Sequence, residues 1–206
     1  MELLTLKTRG RGEFTEKRSR FIGTGCHVTT ADEAMAFVDE IRREFPDATH
    51  NVFAYVLRSG AYRFSDDGEP GGTGGVPCCE ALQKSGLTDC CVVATRYFGG
   101  ILLGAGGLVR AYSKTARVAV EACGVVRMVL RDLIDATVGY DAYQGVVMLA
   151  ETIGAVVVGQ DFTDRVSLRL RAVQADSAAL IAGITNLTAG KANIEVVGTE
   201  FAPQDA

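Results

Sequence analysis

The chain has 206 residues, 48% of them hydrophobic and 22% charged, with a net charge of −4. Such a composition excludes a disordered chain, and the acidic balance excludes a general nucleic-acid coat, so any anion-binding function has to sit on a local patch. No apolar run reaches the length of a membrane span and no signal-peptide core follows Met1, so the chain reads as a cytoplasmic protein of one large or two small domains.

Residues 1–30 are strand-like, with Leu3–Leu6 first and Arg20–Val28 later. In this stretch Arg9, Arg11, Lys17, Arg18 and Arg20 outnumber Glu13 and Glu16, a basic excess that suits either a solvated hairpin face or a phosphate-contacting surface. Thr30-Ala31-Asp32-Glu33 opens a helix, because acids in a first turn complement the helix dipole. Ala34, Phe37, Val38 and Ile41 give it an apolar stripe, and Pro46 follows its end. His50–Leu57 and Ala61–Phe64 read as hairpin partners around Ser59-Gly60. A helix is expected over Val76–Lys84, with Pro77 tolerated in its first turn. A strongly apolar strand follows over Cys90–Tyr97, then a long helix over Ala105–Ala122 closed by Gly124.

Beyond Arg127 the pattern changes to strand (Leu133–Tyr140), apolar helix (Ala142–Ile153), two strands (Ala155–Val158 and Val166–Leu170) with a polar turn at Asp161–Asp164, helix (Asp176–Leu187) and strand (Asn193–Val197). This β-α-β-β-α-β order is the ferredoxin-like one, and it divides the chain into residues 1–129 and 130–206, with a boundary near residues 128–132. The second part has little polar clustering, which points to docking, oligomerisation or nucleic-acid contact through a sheet face.

Two glycine-rich loops carry the candidate chemistry. The first, Ser65-Asp66-Asp67-Gly68-Glu69-Pro70 through Thr73 to Pro77, brings carboxylates that could ligate Mg²⁺ or could accept backbone hydrogen bonds and shape the turn. The second, Gly104-Ala105-Gly106-Gly107, feeds a helix N-terminus, where amide N–H groups and the dipole favour an anion. It lacks the Walker Gly-Lys-Ser/Thr, and Val109 occupies the third glycine place of Gly-x-Gly-x-x-Gly. Asp89 is the last acid before Glu121, so Arg96, Arg110, Lys114 and Arg117 read as an unopposed basic group, with positions 110, 114 and 117 on one helix face. Arg96 and Tyr97 end the strand before the loop, and Lys17 and Arg20 could extend the surface.

Six cysteines include the adjacent pairs Cys78-Cys79 and Cys90-Cys91, which lack zinc-ligand spacing and read as small buried hydrophobes. His27 and His50 lie on separate strands with no nucleophile elbow. No catalytic residue, metal ligand or cofactor is assigned.

The composite motif Ser65-Asp66-Asp67-Gly68-Glu69-Pro70, Gly72-Thr73, Gly75, Pro77, Arg96-Tyr97-Phe98-Gly99-Gly100, Gly104, Gly106-Gly107-Leu108 and Ala111-Tyr112 closely resembles the YigZ/IMPACT family. Lys17, Ser19-Arg20-Phe21-Ile22, Pro46, Ala48, His50 and Ala54 fit its earlier signature, and the resemblance covers almost the whole chain. Gly71 and Gly74 stand where alanine is usual, and Val52 where cysteine is often found, which weakens thiol chemistry near His50.

The resemblance implies an α+β protein. Its first half should look like the second domain of ribosomal protein S5, with helices on one side of a mixed sheet. Its second half should look like the ferredoxin-like last domain of the translocating elongation factor. It also implies a non-enzymatic module that regulates translation by binding RNA, the ribosome or a translation-related protein, as eukaryotic members do by competing for a kinase activator. The S5-like fold also carries small-molecule kinases, so the alternative is a phosphate- or nucleotide-binding enzyme using the glycine loops and Asp66, Asp67 and Glu69 with Mg²⁺.

Overall fold

The computed structural model describes residues 2–204. They form an α+β protein of two compact units, residues 3–127 and residues 128–204 together with Glu2. No helix among the described residues is long and apolar enough to cross a membrane.

Strands β1 (Glu2–Leu6), β2 (Gly10–Glu16) and β3 (Ser19–His27) precede helix α1 (Ala31–Glu44), and of these β2, β3 and α1 lie wholly in the first unit. Strands β4 (His50–Val56) and β5 (Tyr62–Ser65), helix α2 (Gly75–Lys84), strand β6 (Cys90–Tyr97) and helix α3 (Ala105–Cys123) follow. The sheet runs β2-β3-β6-β4-β5 with every neighbouring pair antiparallel. The apolar run of β6 is continuous because both its faces are covered. Cys90, Val92 and Ala94 pack with α2 and α3, while Cys91 and Val93 pack with α1. The expectation of helices on one side of a mixed sheet is therefore corrected, since the apolar stripe of α1, Ala34, Phe37, Val38 and Ile41, needs a face of its own. Thr30 caps α1 by accepting from Glu33 N–H at 3.1 Å.

Close approach of α3 to the sheet is made by glycine. A Cβ at Gly23 would strike the backbone oxygen of Thr115, and one at Gly12 would sit 2.5 Å from Cγ1 of Val118.

The second unit is built on β7 (Val125–Val138), α4 (Tyr140–Ile153), β8 (Val156–Phe162), β9 (Val166–Val173), α5 (Ser177–Leu187) and β10 (Asn193–Pro203). Its antiparallel order β10-β7-β9-β8 is the ferredoxin-like one. Strand β9 alternates buried and more exposed residues, which turns Val166, Leu168, Leu170 and Ala172 toward α4 and α5. Three boundaries move. Strand β7 begins at Val125 and not at Leu133, Tyr140 opens α4 and leaves the strand, and Asp161 lies within β8.

Candidate functional site

The Ser65–Gly75 loop turns on Asp66. Its Oδ1 accepts from the amides of Gly74 at 2.9 Å and Gly75 at 2.8 Å, and its Oδ2 from the amide of Gly72 at 2.8 Å. The tight turn after it places Asp67 at φ 46° and Gly68 at φ 87°, and Glu69 N–H closes it on the Asp66 carbonyl at 2.9 Å. Asp67 Oδ2 accepts from Asn51 N–H at 2.6 Å and Oδ1 from Arg42 at 3.0 Å. Ser65 Oγ accepts from Asp67 N–H at 3.2 Å, and Thr73 donates to the Pro70 carbonyl at 2.6 Å.

Burial raises the Asp66 carboxyl, but the three glycine amides together outweigh it and hold the group below the usual carboxylate range. A depressed folded value contributes stability that is present above the unfolded value and lost as pH falls through the folded one. Asp66→Asn should therefore lower stability at neutral pH and flatten its acid dependence, read as urea midpoints between pH 7 and pH 3. An unchanged acid limb would show that the three bonds carry no weight.

Glu69, the next acid, is buried. Its Oε1 accepts from Arg96 Nη1 and from the Tyr112 hydroxyl, both at 2.6 Å. Burial and the Glu69 carboxylate both push the Tyr112 phenol upward, so it stays a donor. His50 Nδ1 lies 2.8 Å from the Asp67 carbonyl, which can only accept. Nδ1 therefore carries the hydrogen, and Nε2 faces Glu69 Oε2 at 3.7 Å. The Arg96 guanidinium lies between the rings of Phe21 and Phe98, 5.5 and 5.4 Å from their centroids, and Nη2 donates to Ser19 Oγ at 3.3 Å. Arg96 was expected in an unopposed basic group. It is 5% exposed and paired, because the carboxylate that opposes it arrives from the first glycine loop, 27 residues away.

This network forms one wall of a cleft of about 380 Å³, lined also by Thr49, Pro70, Phe98, Leu102, Leu103 and the Gly104-Ala105 start of α3. Gly104, at φ 73°, supplies no side-chain cap, and no acid follows in the first turn. Leu108 N–H bonds to the Gly104 carbonyl at 2.9 Å, leaving the amides of Ala105, Gly106 and Gly107 without partners inside the helix. Leu103 also borders a smaller groove of about 230 Å³, where Lys17, Arg110 and Lys114 gather with Phe14, Glu16 and Gly107. Lys114 Nζ sits 4.2 Å over the Phe14 ring.

The other sequence candidates part company. Arg117 lines a separate groove against α2 with Glu80 and Lys84. Arg20 pairs with Glu13 at 2.6 Å on the surface, and the Tyr97 hydroxyl donates to Asp47 at 2.9 Å. Lys17 sits at the tip of the β2–β3 hairpin at φ 45°. Spacing does not reveal Phe14 and Phe98, whose positions depend on which strand end meets α3.

Both carboxylate oxygens of Asp66 and of Asp67, and Oε1 of Glu69, accept from protein donors, while Glu69 Oε2 lies 3.7 Å from His50 Nε2. Among the described residues no three His, Cys, Asp or Glu side chains gather to hold a metal ion. Burial raises the thiols, with Cys26 and Cys90 pushed up to about 12, which removes them as nucleophiles at neutral pH.

The Impact N-terminal domain matches residues 17–120, and a domain of unknown function, DUF1949, matches residues 137–191. The chain is 35% identical to an IMPACT family member of Haemophilus influenzae over 88% of its own length and 90% of that protein's. It is 44% identical to the IMPACT family member YvyE of Bacillus subtilis over 66% of its length, spanning 64% of the relative. A crystal structure described as a hypothetical protein superposes with a TM-score of 0.65 at 30% identity, covering 96% of this chain and 98% of that one. Matches of this identity and coverage, to both halves, show that the chain belongs to the YigZ/IMPACT family.

Proposed function

We propose that this protein is a non-enzymatic cytoplasmic module of translation control that binds RNA through the groove between the β2–β3 hairpin and α3. The observation that carries this reading is the meeting of Lys17, Arg110 and Lys114, all exposed and none in an ion pair among the described residues, beside the Phe14 ring. Three cations along one groove on an acidic chain supply a local backbone-tracking surface. Arg117 continues the basic character beyond that groove. The enzymatic alternative is the weaker one, since the carboxylates it would use for Mg²⁺ are already engaged by amides, Asn51, Arg42, Arg96 and Tyr112.

Each phosphate contact to single-stranded RNA contributes about 0.7 to the slope of log affinity against log salt. Arg110→Ala with Lys114→Ala should therefore weaken RNA binding and flatten that slope by about 1.4, measured by fluorescence anisotropy across a salt series. Binding that ignores salt and the double variant overturns the reading. So does a lysate pull-down in which a protein partner survives ribonuclease while no RNA is bound.

A further inference from the structure

We infer that the cleft at the start of α3 seats a nucleotide bearing a phosphomonoester, which on an RNA strand is a phosphorylated chain end. The inference rests on the RNA-binding reading above only for the strand to which that nucleotide is attached. Four features meet in the cleft. The α3 start lines the cleft at Gly104 and Ala105, with no side-chain cap and no acid in its first turn, a setting that favours a phosphate, and the amides of Gly106 and Gly107 follow in the same turn. Arg96, 95% buried by its 5% exposure, lines the same cleft and keeps its Nε–H without a partner. His50 Nε2 lies on this wall too, with its other nitrogen fixed by the Asp67 carbonyl. The opposite side is apolar, with Phe98 at 45% exposure and Leu102 at 81% forming a mouth on which a base can lie.

The volume of about 380 Å³ falls in the range of small-molecule sites. Glu69 also lines the cleft, but its Oε1 is taken by Arg96 and Tyr112, and the Arg96 guanidinium offsets its charge from within the protein. A terminal phosphomonoester carries about −1.5 to −2 charge near neutral pH, more than an internal diester, and so gains more from the same donors. Leu103 forms part of the walls of both the cleft and the Lys17–Arg110–Lys114 groove. A strand whose end nucleotide occupies the cleft can pass Leu103 and lay its next phosphates on those cations. The structure thus joins an end-reading pocket to a backbone-tracking groove.

The test uses the full chain and one single-stranded RNA sequence in three forms, with a 5′-phosphate, with a 3′-phosphate and with hydroxyls at both ends. One phosphorylated form should bind about tenfold more tightly than the hydroxyl form, and Phe98→Ala should bring that preference close to one while leaving the salt slope of the hydroxyl form unchanged. Leu102→Glu, a change at an open surface position, should do the same by setting a negative charge at the mouth, so the test does not depend on Phe98→Ala folding. Equal affinities for the three forms overturn the cleft while leaving the groove as the RNA site. A preference that survives both variants also overturns it. Adenosine monophosphate, followed by the amide resonances of Gly104 to Gly107 against adenosine and inorganic phosphate as controls, separates the two readings. Shifts there without any RNA affinity support the cleft and overturn the RNA reading, and no shifts together with no RNA affinity overturn both.

Discussion

Glu69→Ala should destabilise the protein by about 3–5 kcal/mol, because it leaves the charge of Arg96 buried without its partner. The carboxylate accepts from Arg96 and Tyr112 at 2.6 Å each, and both donors belong to side chains that are almost fully enclosed. Removing it strands a guanidinium between Phe21 and Phe98 and a phenol inside the core formed by α2, α3 and the sheet. The exposed pair Arg20–Glu13 has the same 2.6 Å separation, yet Glu13→Ala should change stability by about 1 kcal/mol or less, since solvent already screens both charges. Urea unfolding followed by far-ultraviolet circular dichroism measures both. Combining Glu69→Leu with Arg96→Leu should recover much of the loss, as apolar replacements of a buried pair commonly do. A Glu69→Ala variant that unfolds within about 1 kcal/mol of the parent would sink the argument that this pair holds the loop on β6.

The same pair shows where sequence patterns carry information and where they stop. Periodicity exposes α1 through Ala34, Phe37, Val38 and Ile41, and the unbroken apolar run of β6 marks it as a central strand. The β-α-β-β-α-β order of the second unit is likewise visible, because hydrophobic alternation and turn residues are local properties. Charge pairing is not local. Counting acids along the chain makes Arg96 look unopposed, whereas the turn at Asp67-Gly68 folds Glu69 back onto β6. Helix spacing places Arg110, Lys114 and Arg117 on α3, but whether a residue meets the β2–β3 hairpin, as Arg110 and Lys114 do, or α2, as Arg117 does, depends on packing that no spacing rule contains. The composite glycine motif carries the family resemblance, while its physical reasons are distributed. Gly72, Gly74 and Gly75 present amides to Asp66, and Gly104 leaves the α3 start uncapped.

Gly23→Val should cost about 3 kcal/mol or more, the upper end of overpacking effects, although valine is the better strand former. Gly23 lies in β3 between Gly12 on β2 and Ala94 on β6, and its missing side chain is what allows α3 to lie against the strand. A Cβ there meets the Thr115 carbonyl, Thr115 Cγ2 at 3.1 Å and the Ala119 Cβ at 3.0 Å. The first of these is helix backbone, so no side-chain rotation relieves the contact, and α3 as a whole has to move. Movement of α3 also carries Gly104–Gly107, Arg110 and Lys114, so a folded fraction of the variant should bind RNA more weakly than the parent at matched salt. Gly71→Ala is the matched control, since a Cβ there has nothing within 4 Å and φ lies outside the left-handed region. That change should stay within about 0.5 kcal/mol of the parent. Equal urea midpoints for Gly23→Val and Gly71→Ala would mean that α3 has slack against the sheet, and that its position is not what fixes the cleft and groove.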